Sequence, residues 1–339
     1  MTSFNNDIDV RTKSYVKSYK DNERNKTIKD TDIDINLLTN FKSKYIGKVR
    51  DIYKCDDMIV LITTDRQSAF DRQLASVPYK GQVLNLTSLW WFEQTKHIVP
   101  NHIIASPHPN VTFGKVCTIF PVEFVMRGYI TGSTSTSMWT NYKNGVRNYC
   151  GHQLSDNLVK NQKLDSNKLT PTTKDDIHDE LISAEEIVSS GRMSQEDWNI
   201  CAKYAHDIFA FSQKKSLEKG LILVDTKYEF GKDKDGNILL VDEIQTPDSS
   251  RYWIADTYQE RFNAGLEPEN IDKEFLRKWY TEHCDPYKDE ILPDAPADLV
   301  NELSRRYIMI YEIMTGKTFD FSTAELTMND AIKKYFNKN

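Results

Sequence analysis

Asp225, Lys227 and Glu229 stand two residues apart in "LVDTKYEFG", and Asp242 and Glu243 follow in "VDEIQTPDSSR". Side chains two apart on a strand share a face, so these three project together, opposite Ile222, Val224, Thr226, Tyr228 and Phe230. Between the runs, "DKDGN" predicts a hairpin turn, since Asp-Gly suits the φ > 0 geometry of a type I′ turn. With Asp235 and Gly236 at its centre, Lys234 pairs with Asn237 and Glu229 faces Asp242. A slip of one residue sets Glu229 against Glu243 or Val241 instead. Facing acids destabilise a ribbon and need a proton, a basic neighbour or a divalent cation. Oxygen ligands from few protein groups suit Mg²⁺, whose shell is completed by water and substrate phosphates. The plain alternative is a solvated face of a two-sided ribbon, with Lys227 offsetting the acids. An EF-hand fails, because Gly231 takes the first ligand position and Asp242 replaces the closing Glu.

Cations that could hold anions cluster near such strand ends. Arg251 follows a turn of Asp248, Ser249 and Ser250, where its planar fork can take a phosphate. "GKVRDIY" places Gly47 before Lys48, Val49 and Arg50, so that backbone can approach a triphosphate with two cations at hand. It is neither a P-loop nor a G-x-G-x-x-G motif, and ordinary surface cations would look the same. Arg127 lies in the apolar run "VEFVMRGYIT", where an unpaired charge is costly. Gly132 and Ser133 follow at an expected strand-to-helix junction, either an anion seat or a simple cap. "TDRQSAFD" supplies Asp65, Arg66, Ser68 and Asp71 for a tight turn or for ligand contact. "TPTTKDDIHDE" gathers Lys174, His178 and Asp179 in a lid or a solvated charged loop. Acids, a lysine and arginines at strand ends point to phosphoryl chemistry.

These residues need rigid elements beneath them. The 339 residues, 39% hydrophobic, suffice for more than one core. A net charge of −6 gives no general attraction to nucleic acid or anionic membrane, so anion binding must be local. Five scattered cysteines without a C-x-x-C pair make neither a disulfide framework nor a zinc site, and with no apolar leader a cytoplasmic setting is expected. Residues 1–35 read as a polar extension, 36–125 as a β-rich lobe and 126–339 as an α+β lobe. "MIVLITT" predicts a buried strand, "GQVLNLTSLWWFEQTKHI" a helix, and 144–180 a long polar connection. "SQEDWNICAKYAHDIFAFSQKKSLEKG" predicts a helix capped by Ser194 and stopped at Gly220, with further helices beyond the hairpin.

Taken together, "GKVRDIY", "TDRQSAFD", "VEFVMRGYITGS", "TPTTK", "LVDTKYEFG" and "VDEIQTPDSSR" resemble the SAICAR synthetase family from about residue 40 to 320, in the family's order. The resemblance implies an α+β, two-lobed fold similar to kinases and ATP-grasp proteins. It implies ATP-dependent ligation of L-aspartate to an imidazole ribonucleotide carboxylate, with ATP and Mg²⁺ as cofactors and small molecules as partners. Glu229 and Asp242 would then hold Mg²⁺, and Gly47, Lys48, Val49 and Arg50 would meet the ATP phosphates. Lys227 would sit between nucleotide and acceptor. Arg127, Ser133, Ser249 and Arg251 would clamp the ribonucleotide, with Arg127 and Arg251 placed beside Lys227 in the catalytic group. Lys174, Asp179, Asp65 and Ser68 would order aspartate or its loop, and adenine would lie near Thr118 to Phe120. The rivals are a small-molecule kinase, which stops at phosphoryl transfer, and a non-enzymatic nucleotide binder, which needs no second anion clamp.

Overall fold

The computed structural model describes Lys13 and residues 27–70, 72–174, 179–271, 274–321 and 326–338. Asp71, His178 and most of the expected polar extension lie outside the described residues. The chain is α+β and groups into two compact units, one from Met1–Trp90, Ile103–Val116 and Ile271–Asn339, the other from Trp91–His102 and Cys117–Asn270.

The first unit carries an antiparallel five-stranded sheet in the order β1-β2-β3-β7-β6. Its strands are β1 (Ser43–Ile46), β2 (Arg50–Lys54), β3 (Met58–Thr63), β6 (Ile103–His108) and β7 (Val111–Lys115). A separate hairpin joins β4 (Arg66–Ala69) to β5 (Arg72–Ser76). The predicted buried strand is β3, whose Val60 and Ile62 are fully buried with Tyr53, Val111, Phe113 and Ile332. A second core packs Val83 and Leu84 of the helix Lys80–Thr95 with Leu276, Tyr280, Leu303, Tyr307 and Ile308. The segment after residue 27 is anchored, because Thr31 and Ile33 are buried and the Ile28 N–H donates to Asp65.

The second unit is built on one long strand. β14 (Leu221–Lys232) pairs with β9 (Val122–Tyr129), β15 (Ile238–Val241), β16 (Ser250–Ile254) and β8 (Thr118–Ile119), all antiparallel. Its apolar face behaves as the alternation predicts: Val224, Tyr228 and Phe230 are fully buried. Phe230 meets Phe124 edge-on at 5.0 Å, and Phe124 stacks on Trp198 of the helix Gln195–Leu217. That helix begins as expected, with the Ser194 side chain accepting from the Asp197 N–H, and its last turn leads to Gly220 at φ 76°.

Three local expectations are corrected. The connection 144–180 is not a plain loop: it contains β10 (Asn148–Tyr149), β11 (His152–Gln153), β12 (Lys163–Leu169) and β13 (Thr172–Thr173). β12 is polar because it is the last strand along its path through the sheet, pairing with β9 on one side. The helix after β9 starts at Met138, five residues beyond Ser133, so Gly132 and Ser133 do not sit at its first turn. The hairpin register is the slipped one, with Glu229 opposite Val241 rather than Asp242. Its turn is not a two-residue Asp-Gly turn. Asp233 pairs with Asn237 across a three-residue loop, its carboxylate accepts the N–H groups of Asp235 and Asn237, and Gly236 takes φ 83°.

Candidate active site

The polar face of β14 gathers most of the charged residues singled out from the sequence, and its neighbours set each side chain. Lys227 lies across from Val125 of β9, and Glu123, two residues before Val125, shares that face. The Lys227 ammonium donates to Glu123 Oε1 at 2.9 Å and to Glu229 Oε1 at 2.5 Å. Lys174, just past β13, donates to the other Glu229 oxygen. Glu123 is held in turn by the Thr172 hydroxyl at 3.1 Å. The result is a chain of alternating charge: Glu123, Lys227, Glu229, Lys174.

Burial by itself would lower the Lys227 pKa, but Glu229, Glu123 and Asp242 outweigh it and hold the ammonium well above the usual lysine range. Burial would likewise raise Glu229, yet Lys227 and Lys174 pull its carboxyl down to about 2. Both groups are therefore charged at neutral pH. Lys227 can neutralise an anion but cannot take a proton, and Glu229 can only accept. Asp242 follows β15 at φ 65° and is half-buried, its side chain turned off the regular ladder by that backbone. Left-handed Asp is uncommon, and here it replaces the cross-strand pairing that the sequence suggested.

Two residues back along β14, Asp225 lies directly between two arginines. Its cross-strand neighbours are Arg127 on β9 and Arg251 on β16. Asp225 Oδ2 is 3.7 Å from Arg127 Nη1 and 3.3 Å from Arg251 Nη1. Arg127 is further fixed by donating from Nε to Thr170 Oγ1 at 2.9 Å and from Nη2 to the Thr136 carbonyl at 3.1 Å. The Arg251 side chain keeps 24% exposure against 8% for Arg127, so its fork is the more open of the two. Gly132 is at φ 102°, and a Cβ there would come within 2.5 Å of Ser137 Cβ and 3.5 Å of Arg251 Nη1. The approach to Ser137 and the positive φ both call for glycine here, whereas the distance to the arginine is an ordinary contact.

The remaining predicted residues fall as follows. Ser249 is half-buried in a self-bonded turn, where its Oγ accepts from the Thr246 N–H at 3.2 Å and its carbonyl accepts from the Lys227 N–H at 3.2 Å. Ser133 and Asp179 are exposed. Gly47, Lys48, Val49, Arg50, Asp65 and Ser68 belong to the first unit. Gly47 closes the β1–β2 hairpin, its N–H donating to the Arg50 carbonyl at 2.9 Å. Asp65 is almost wholly buried and spends its carboxylate on the Ile28 and Gly81 N–H groups, at 2.8 and 2.9 Å. Burial pushes its pKa up to about 6 against those donors and Lys80. It ties the start of the helix Lys80–Thr95 to the segment at Ile28. Ser68 is half-buried in β4, opposite Gln73.

Sequence reasoning missed Glu123 and gave Asp225 no role. A signal existed for both. Glu123 and Arg127 lie four apart on one strand and so share a face, and Asp225 occupies the same face as Lys227 and Glu229.

A lysine–carboxylate chain lies beside an arginine pair on the central strands of an α+β chain, a charge arrangement suited to anionic small molecules. A family model described as SAICAR synthetase matches residues 43–293. The phosphoribosylaminoimidazole-succinocarboxamide synthase of Legionella pneumophila (strain Lens) is 62% identical over 292 residues, covering 86% of this chain and 94% of that one. The chloroplastic enzyme of Arabidopsis thaliana is 60% identical over 293 residues, covering 86% of this chain and 71% of its own. Among solved structures, a SAICAR synthase from Saccharomyces cerevisiae complexed with SAICAR aligns at TM-score 0.71 and 28% identity, over 86% of this chain and 99% of that one. The chain belongs to the SAICAR synthetase family. It is an ATP-dependent ligase of purine biosynthesis, joining L-aspartate to the carboxylate of 5-amino-1-(5-phospho-D-ribosyl)imidazole-4-carboxylate to give SAICAR, ADP and phosphate.

Proposed function

We propose that the polar face of β14 is where this ligation occurs, with Lys227 as the residue that neutralises the transferring phosphoryl group. The observation that carries this is the Lys227 ammonium held between the Glu123 and Glu229 carboxylates, at 2.9 and 2.5 Å. A carboxylate resists amine attack because oxide is a poor leaving group. Phosphorylation by ATP gives an acyl phosphate, from which phosphate leaves when the aspartate amine attacks. Such transfers need positioning and charge stabilisation more than a protein nucleophile.

Arg127 and Arg251, braced by Asp225, are assigned to the ribonucleotide's phosphate, with Ser133 and Ser249 beside them. Lys174 and Asp179 are assigned to aspartate. Lys48 and Arg50, on the Gly47–Arg50 turn, are assigned to the ATP phosphates. Support for these ligands comes from relatives: the yeast structure is described as complexed with SAICAR. Another SAICAR synthetase, 25% identical at TM-score 0.63 over 82% of this chain and all of its own, is described as in complex with ADP.

Mg²⁺ fits the donor set. Glu229 is ionised and Asp242 brings a second hard oxygen donor; the Lys227 and Lys174 ammoniums that engage both Glu229 oxygens would give way to the ion. Among the described residues no three or more His, Cys, Asp or Glu gather as metal ligands. When bound, Mg²⁺ supplies neutralisation of the phosphate oxygens. A cytoplasmic location is part of this reading; no helix among the described residues is long and apolar enough to cross a membrane.

The test is an assay of ADP release with each substrate omitted in turn. Release is expected only with ATP, aspartate and the imidazole carboxylate all present, together with the succinylated product. ADP formed without aspartate at the full rate would instead identify a kinase.

A further inference from the structure

We infer that Arg66, with Thr64, is a positioning residue that fixes the shape of the Gly47–Arg50 turn for nucleotide phosphates. This rests on the reading above that the turn takes those phosphates. Arg66 belongs to the "TDRQSAFD" segment, yet its guanidinium does not serve that segment's own turn. It is only 4% exposed, and its three acceptors come from elsewhere in the first unit. Nη2 donates to the Gly47 carbonyl at 2.9 Å and to Asp51 Oδ1 at 2.5 Å, while Nη1 donates to the Lys29 carbonyl at 2.6 Å. Asp51, 1% exposed, accepts on its other oxygen from the Thr31 hydroxyl at 2.6 Å.

Thr64 completes the clamp. Its N–H and its hydroxyl both donate to the Val49 carbonyl, at 3.0 and 2.6 Å. Two of the turn's carbonyls, on Gly47 and Val49, are thus drawn onto interior donors. Carbonyl oxygens repel an anion, so engaging them elsewhere removes acceptor dipoles that would oppose a phosphate beside Lys48 and Arg50. The turn has little slack, since a Cβ on Gly47 would lie 2.7 Å from the Arg50 carbonyl oxygen. One planar fork meets Gly47, Asp51 and Lys29 at once. An ammonium in its place keeps the charge beside Asp51 but cannot span all three.

That difference gives the experiment. Arg66→Lys retains the buried charge, and Lys48→Ala tests the phosphate reading separately. With each substrate varied in turn, R66K is expected to raise the KM for ATP about tenfold while the KM values for aspartate and the imidazole carboxylate stay within roughly twofold, as does kcat at saturating ATP. K48A is expected to raise the KM for ATP as well. If K48A does so and R66K does not, the positioning role is overturned and the phosphate reading stands. If neither changes it, the reading fails and this inference with it. An equal rise in all three KM values for R66K means a general structural role and overturns the inference. Should R66K not fold, Thr64→Val decides, since it deletes one hydroxyl bond to Val49. A selective rise in the KM for ATP supports the clamp, and an unchanged value overturns it.

Discussion

Lys227→Ala is expected to keep the fold and to lose kcat by about 10²–10³-fold or more, the scale seen when one pre-organised charge-stabilising donor is removed. Lys227 makes its ion pairs on a polar face and leaves the apolar face of β14 untouched, so the core around Tyr228 and Phe230 survives. Glu229 also retains Lys174. The loss falls on the chemistry because Lys227, held well above the ordinary lysine pKa, is a fixed positive charge. Raising the pH from 7 to 9 therefore should neither restore the variant nor, through Lys227, inactivate the parent. Steady-state kinetics beside thermal unfolding measure both quantities. A near-normal kcat would remove Lys227 from the reaction.

Glu229→Gln has the second large expected effect: metal-dependent nucleotide binding is lost. The Glu229 carboxylate, held down to about 2 by two ammoniums, is a fixed negative charge on this face, and Gln removes it while keeping the shape. Calorimetric titration with Mg·ATP should show affinity reduced by at least about tenfold, or about 1.4 kcal/mol, with nucleotide alone bound as before. Unchanged Mg·ATP affinity would count against the metal assignment. The same residue predicts an acid dependence of stability. Its folded pKa lies below its unfolded value, so its contribution is complete above about 4.3 and is lost as the pH falls toward about 2. E229Q should lack that component in acid-unfolding curves.

The face assignment on β14 was readable because strand alternation is a local property: Val224, Tyr228 and Phe230 went to the core, and Asp225, Lys227 and Glu229 to the other side. The helix Gln195–Leu217 was equally plain from its Ser194 cap and its glycine. Register was not: Asp233 accepts two N–H groups in the turn and the pairing moves by one residue, while Asp242 leaves the ladder at φ 65°. β12 was hidden for a different reason: a polar strand with a neighbour on only one side has little of the alternation that marks a strand.

Contacts distant in sequence were the least legible. Nothing local to "TDRQSAFD" says that Arg66 holds a carbonyl 19 residues away. Asp65, which the motif offers as a ligand residue, uses its oxygens on Ile28 and Gly81. Glu123 reaches Lys227 across 104 residues, and only the pairing of β9 with β14 explains it.

A crystal structure with Mg²⁺ and a non-hydrolysable ATP analogue tests the metal and nucleotide assignment most directly. The expected result is one cation held by carboxylate oxygens of Glu229 and Asp242 at about 2.1 Å, sharing its shell with the nucleotide's phosphates, with Lys227 against the terminal phosphate. Metal and phosphates bound elsewhere, with Glu229 still closed on Lys174 and Lys227, would contradict it.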